Sequence, residues 1–395
     1  MSDAADSVAK ISCQGIWKVF GPHADRIMAQ LDENSERVEV QERTGHVIGV
    51  KDVSFKVQQG ETFVVMGLSG SGKSTLVRCM SRLVEPTSGK VVIDGEDVVQ
   101  MTEKQLIDLR RNKMSMVFQH FGLLPHRRVI DNIAYGLEVQ GITKTERHEK
   151  ADEVLNLVGL GGWDQHYPRE LSGGMQQRVG LARALAVDPE IMLFDEHFSA
   201  LDPLIRREMQ DELLKLQEVM HKTMVFITHD FLEAIKMGDH IAIMKDGEIV
   251  QIGTPEEVVA NPVNDYVREF SEDVPRHKVL TASKIMSNGY PTVGVNDTVE
   301  TALSRMRDGD HPAAFVLGAG NAYVATLERR VAEASAKTGS VKDVAVAEES
   351  ITPNTLIERL ITRIARTDTP VPVVDESNAL VGTVDRTAIM LALEE

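Results

Sequence analysis

Only two cysteines, Cys13 and Cys79, occur in 395 residues, too few for a disulfide framework. No apolar run approaches the ~20 residues that cross a bilayer, the longest candidates being pieces such as Phe63-Val64-Val65-Met66. A membrane role therefore has to come through a partner. A basic-then-apolar leader is also absent, which together with the cysteine count predicts a reduced, cytoplasmic protein. Proline is scarce at 14 residues, excluding collagen-like and mucin-like chains. Positive charge is outnumbered: 43 Lys and Arg face 60 Asp and Glu, and a net charge of −17 repels phosphate backbones, so nucleic acid is not an expected partner.

What is present is a globular composition, 42% apolar and 26% charged, on a chain longer than one core organises; two or three domains are expected. Ile11 to Phe20 reads as a strand, followed from Gly21 to His46 by a polar, charge-rich stretch without strand period, an insertion with some helix. Alternation resumes through Val53-Ser54-Phe55-Lys56-Val57, and a buried-type strand, Thr62 to Met66, runs into a glycine-rich loop where a helix should start. Apolar runs at Ile191 to Phe194, Met224 to Thr228 and Ile241 to Met244 alternate with helical stretches at Ile205 to Val219 and Phe231 to Met237. This argues for a mostly parallel sheet covered on both faces. From about Glu103 to Leu185 the chain reads as an inserted, mainly helical subdomain.

The polar segment Ser271 to Lys284, with Pro275, reads as a linker, and a boundary near 275 gives domains 1–275 and 276–395. Beyond it, a shift of about 57 positions aligns Val295 to Val331 with Thr352 to Ala388. Thr298, Leu303, Val316, Asn321, Ala322, Val324, Thr326 and Arg329 then match Thr355, Leu360, Val373, Asn378, Ala379, Val381, Thr383 and Arg386, two copies of a helix-strand-strand unit.

Gly67-Leu68-Ser69-Gly70-Ser71-Gly72-Lys73-Ser74 fits the phosphate loop, and it lies between a strand and a helix as that mechanism requires. Its glycines let backbone N–H groups turn inward while the following helix points its positive end at the same place, so nucleotide phosphates are the expected guest. Lys73 is expected at the β/γ oxygens, Ser74 on Mg²⁺ and Thr75 at the α-phosphate. Ile191 to Glu196 is an apolar strand ending in two acids, which places them at the carboxyl end of an α/β sheet beside the phosphates. Asp195 suits the magnesium shell and Glu196 the activation of an attacking water. Ser172, Gly173 and Gly174 ahead of a helical run offer a serine hydroxyl and free amides, a second anion site.

With Ser199-Ala200-Leu201-Asp202 just after the acidic strand and His229 at the end of the next, this set resembles the ATP-binding cassette (ABC) ATPases over about Ile11 to Phe270. The resemblance implies an α/β fold, a P-loop ABC-type ATPase cassette with an inserted helical subdomain, and ATP and Mg²⁺ as cofactors. It further implies that Gln119 is the Q-loop residue, in the metal shell and linked to a transmembrane permease, and that His229 is a switch near the γ-phosphate. Phe20 would stack on adenine, with Trp17 as the alternative, and Asp202 would belong to the nucleotide set. Two ATP would sit between two cassettes head to tail, the phosphate loop of one facing Ser172 to Gly174 of the other, so a second copy is an expected partner.

Within these ATPases the chain is similar to subunits of osmoprotectant importers. The likeness rests on the insertion before Gly49-Val50-Lys51-Asp52, on Leu124-Pro125-His126 after Phe118-Gln119, on Met175 closing the signature and on Pro203-Leu204-Ile205-Arg206. The repeat pair resembles tandem cystathionine-β-synthase (CBS) motifs, an α/β regulatory domain. The implied role is a peripheral ATPase on the cytoplasmic face of the bacterial inner membrane, driving import of glycine betaine, proline betaine or a related methylated amine. Its partners would be a permease and, indirectly, a periplasmic or lipid-anchored binding protein. The alternatives are an importer ATPase for another small polar solute and a soluble ABC ATPase with a metabolite-sensing CBS pair; a single cassette, no long coiled-coil insertion and the acidic charge count against the last.

Two departures stand out. His197 follows Glu196 where cassettes carry proline or a small residue; its ring either hydrogen-bonds the carboxylate or is accommodated at the surface. In the second CBS repeat, Gly382-Thr383-Val384-Asp385-Arg386-Thr387-Ala388, and in the first, ending at Val331, the acid that holds the ribose in adenosine-binding members is missing, so the pair is not expected to sense a nucleotide.

Overall fold

Lys51 to Val57 alternate so that Val53, Phe55 and Val57 point inward, whereas Thr62 to Met66 are buried at every position, and the two patterns end up in different sheets. The computed structural model describes residues 9–394 except 33, 119–121, 200, 273, 336–338 and 368. The strands of the first part are β1 (Ile11–Phe20), β2 (Val47–Val57), β3 (Thr62–Met66), β4 (Ser88–Ile93), β5 (Glu96–Asp97), β6 (Met114–Val117), β7 (Ile191–Asp195), β8 (Thr223–Thr228), β9 (His240–Lys245) and β10 (Glu248–Gly253). A four-stranded antiparallel sheet runs β2-β1-β4-β5. A six-stranded sheet runs β10-β9-β3-β8-β7-β6, parallel except for β10.

The helix Lys73–Met80 buries Leu76, Val77, Cys79 and Met80 completely and shares one core cluster with both sheets, which Phe55 and Phe63 join by stacking at 4.8 Å. That burial fixes the helix start, and with it the phosphate loop, at the carboxyl end of β3. Cys13 and Cys79 lie free in this core, and burial pushes the Cys79 thiol up to about 12, which keeps it protonated and unreactive.

The stretch read as helical from Glu103 to Leu185 contains β6, which pairs in parallel with β7 and ends the large sheet. The helices Val129–Ile133, Lys144–Leu157 and Gly173–Leu185 follow it. Four residues with Ser115 among them carry too little apolar signal to reveal a strand whose pairing partner lies about 77 positions further on. The insertion after β1 forms the helices Ala24–Met28 and Arg37–Thr44, and Val40, Ala24, Met28 and Leu31 dock it on Trp17, Val19 and Ile48.

The chain divides into compact units at 272/273. In the second, β11 (Thr292–Gly294), the helix Val299–Asp308, β12 (Ala313–Leu317) and β13 (Tyr323–Glu328) are echoed by the helix Ile357–Ile364, β14 (Val371–Val374) and β15 (Leu380–Val384). The turns meet: Ala322 bridges Ala379, the Tyr323 amide donates to the Asn378 carbonyl at 2.9 Å, and Asn378 Nδ2 donates back to the Tyr323 carbonyl at 3.0 Å. Asn321 and Asn378 both stand in the left-handed region, φ 62° and 63°, which asparagine tolerates better than most residues. The segments before each repeat are exchanged, Thr281 bridging Leu356 and Thr298 bridging Ser340, so each half completes the other.

Candidate nucleotide site

The loop between β3 and its helix is held open by glycines that no larger residue replaces. A Cβ on Gly72 would fall 2.3 Å from the Gly49 carbonyl oxygen, and Gly72 has φ 104°. Lys73 is buried and folds back to donate to the carbonyls of Gly67 and Leu68 at 2.8 and 3.0 Å, with the Glu196 carboxylate 3.8 Å away. Burial pushes its ammonium below the ordinary lysine value, more than the Glu196 and Asp195 charges restore. An incoming anion would therefore find an under-compensated cation.

Ser74 Oγ donates to Asp195 Oδ1 at 2.7 Å, and Arg78 holds Asp195 Oδ2 at 3.2 Å. A hydroxyl and a carboxylate side by side form the hard oxygen donor pair that Mg²⁺ takes. Glu196 leaves β7 with φ 46°, a conformation that costs a residue with a side chain about 1–3 kcal/mol. It is held there by the Ser199 amide and hydroxyl, both donating to the Glu196 carbonyl at 3.2 and 2.8 Å, and by its own amide donating to Ile227. The result turns the carboxylate away from the strand toward His229 Nδ1, 3.3 Å from Oε2.

A cavity of about 270 Å³ opens over this group, lined by Phe20, Ser69, Gly70, Gly72, Lys73, Ser74, Thr75 and Glu196 among others. Phe20 is 42% exposed and lies on Gly49, where a Cβ would come within 2.7 Å of its ring. Trp17, the alternative aromatic, is buried beneath the insertion and does not line the cavity. Ser71, within the loop, is buried. Gln119 lies outside the described residues, as does Ala200.

Ser172 caps the helix Gly173–Leu185, accepting from the Met175 amide at 3.3 Å, and Asp202 caps the helix Pro203–Met220 through Leu204 and Ile205. Ser172 and Gly173 are exposed and do not line the phosphate cavity; Gly174 is closed in by Ile205. His197 corrects both sequence readings. It is buried at 1% exposure, not at the surface, and its ring turns from Glu196 to Gln177, whose Nε2 donates to Nδ1 at 2.6 Å, while Phe194 and Phe198 pack around it. Burial lowers its pKa to about 3, against a smaller opposing effect of the Phe118 backbone.

Two side chains of the site were missed in the sequence. Arg78 lies four residues after Ser74 on the same helix face, a spacing that foretells its approach to Asp195. Arg37 comes from the insertion, where nothing local announces it.

A phosphate loop, a paired hydroxyl and carboxylate beneath it and a second acid facing a histidine define a nucleotide-hydrolysing cassette. Residues 50–199 match the ABC transporter family and residues 341–395 the CBS domain family. The chain is 46% identical over 98% of its length to the glycine betaine/carnitine transport ATP-binding protein GbuA of Listeria monocytogenes, covering 98% of that protein. It is 55% identical over 70% of its length to the trimethylamine N-oxide transport ATP-binding protein TmoW of Pelagibacter ubique, covering 81% of it. Among solved structures, the ATP-binding cassette MJ0796 in a dimeric post-hydrolysis state with ADP and Pi superposes with a TM-score of 0.53 at 32% identity, covering 62% of this chain and 98% of that one. The chain belongs to the ATP-binding subunits of ABC transporters that carry a CBS domain. It is an ATP-hydrolysing cassette working with ATP and Mg²⁺. Among the described residues no helix is long and apolar enough to cross a membrane.

Proposed function

We propose that this chain powers the import of a compatible solute bearing a methylated nitrogen, of the glycine betaine and proline betaine class. The observation that carries this is the end-to-end 46% identity to a betaine/carnitine subunit, CBS region included. The cassette's 55% identity to a trimethylamine N-oxide subunit widens the class to methylated amines in general. The test is solute-stimulated ATP hydrolysis by the chain assembled with its permease and binding protein. Glycine betaine, proline betaine, carnitine or trimethylamine N-oxide should stimulate it and unmethylated glycine should not; stimulation by none of the methylated solutes rejects the class.

In this reading Lys73 exchanges the loop carbonyls for the β/γ oxygens of ATP, and Phe20 covers the adenine. Ser74 and Asp195, with Gln119, would hold Mg²⁺, which would supply Lewis acidity to the transferring phosphoryl group. Glu196 takes the proton of the attacking water and His229 orients that carboxylate from 3.3 Å. Ser172, Gly173, Gly174 and Asp202 reach nucleotide only across a second copy of the chain, which accounts for the exposure of Ser172, Gly173 and Asp202 on this one.

The permease docks at the groove of about 310 Å³ formed by Leu83, Phe118, Tyr135 and Val139, four apolar or aromatic side chains 39 to 51% exposed, with Arg183 beside them. Phe118 immediately precedes Gln119 in the sequence, so the groove adjoins the segment that the family resemblance assigns to permease coupling. A permease seated there would hold the chain at the cytoplasmic face of the membrane.

A further inference from the structure

The insertion between Gly21 and His46 has no part in the chemistry described so far, yet it carries a cation to the nucleotide cavity. Val40 anchors the helix Arg37–Thr44 on Trp17, Val19 and Ile48, and three residues earlier Arg37 lines the same cavity as Ser69, Lys73 and Ser74. Its Nη1 donates to the Gly70 carbonyl at 2.8 Å, at the crest of the phosphate loop. On the other side of that peptide, the Ser71 amide donates to the Leu68 carbonyl at 3.1 Å. A guanidinium offers five N–H donors. One is spent on Gly70, and among the described residues no carboxylate pairs with Arg37 within ion-pair distance. An unpaired planar cation in the wall of a cavity built for a polyanion has an obvious complement, because guanidinium and phosphate meet through parallel N–H···O bonds.

We infer that Arg37 is a nucleotide-binding residue, the insertion's arm holding a second cation, beside Lys73, on the phosphate chain of the bound nucleotide. Its bond to Gly70 sets the guanidinium against the phosphate loop. The insertion thereby becomes part of the phosphate site, and its docking cluster sets how firmly that site closes. The inference rests on the nucleotide reading of the cavity.

The test is equilibrium binding of ATP, ADP and adenosine to the full-length chain and to Arg37→Ala, Arg37→Gln and Arg37→Lys. Loss of a charge-assisted contact should weaken ATP and ADP roughly tenfold or more in the alanine and glutamine variants and leave adenosine unchanged, with lysine recovering part of the loss. Melting temperatures close to the parent's show that the fold is intact, as expected for a partly exposed side chain. Glutamine can still donate to the Gly70 carbonyl, so full recovery by Arg37→Gln reduces Arg37 to a brace of the loop and overturns the inference, as does unaltered ATP affinity in Arg37→Ala. If the parent chain itself binds no ATP, the nucleotide reading fails together with it.

Discussion

Ser74 and Asp195 stand 121 residues apart in the chain and 2.7 Å apart in the site, the hydroxyl of the phosphate-loop helix donating to the carboxylate at the end of β7. Neither makes a metal site alone, and the parallel pairing of β7 with β8 and of β8 with β3 brings them together. In Asp195→Asn the amide oxygen can still accept from Ser74 while Arg78, 48% exposed, swings to solvent, so the fold should survive. Mg²⁺-dependent turnover should nevertheless fall about a hundredfold or more, because a carboxylate in the metal shell is lost. Nucleotide binding without Mg²⁺ should change only a few-fold. A magnesium titration of hydrolysis superimposable on the parent's would remove Asp195 from the shell.

Glu196→Gln separates binding from chemistry. The amide keeps the size and the backbone restraints from Ser199 but cannot take a proton, so steady-state hydrolysis should be abolished while ATP still binds and traps a cassette dimer. Size-exclusion chromatography with ATP, beside phosphate release, checks both halves. Hydrolysis within about tenfold of the parent rejects the catalytic role.

The large sheet and the phosphate site were legible because their signals are local. β3, β7 and β8 are buried along their whole length and so read as unbroken apolar runs, each ending in chemistry: a glycine loop, two acids, a histidine. The two repeated halves of the second unit were legible because repetition is visible without any structure, down to the paired Asn321 and Asn378 turns. β6 was not, since its identity rests on β7 far along the chain. Arg37 was not, since its place depends on Val40 finding Trp17, Val19 and Ile48. His197 was misread for the same reason: its partner Gln177 lies 20 residues back, across a packing contact that adjacency to Glu196 does not suggest.

Gly49→Ala tests the aromatic floor of the cavity without touching any polar group. The added methyl would sit 2.7 Å from Phe20 Cε2, the far end of a side chain with room to swing. The ring should leave its place over the cavity, raising the KM for ATP several-fold with kcat little changed. Phe20→Ala should do the same, and the two effects should not add. Normal KM in both variants would show that adenine is bound elsewhere.

The buried imidazole of His197 makes a prediction about stability as well as rate. Its pKa is near 3 in the folded chain, against about 6.5 when unfolded. Below pH 6.5 the unfolded state therefore takes up a proton that the folded state refuses, and stability is lost as pH falls, by about 1.4 kcal/mol per unit, until the folded value is reached. His197→Asn removes this contribution, so its unfolding free energy should fall less steeply than the parent's between pH 6.5 and 5. Both tryptophans, Trp17 and Trp163, lie in the first unit, so fluorescence-detected urea unfolding follows that unit. The pH profile of hydrolysis should keep its shape in the variant, because a ring that stays neutral and faces Gln177 instead of Glu196 has no charge to lose near pH 6.5. Parallel stability curves for the two proteins would mean that the imidazole titrates normally and is reached by water. A hydrolysis step near pH 6.5 that disappears with His197 would return the ring to the carboxylate of Glu196.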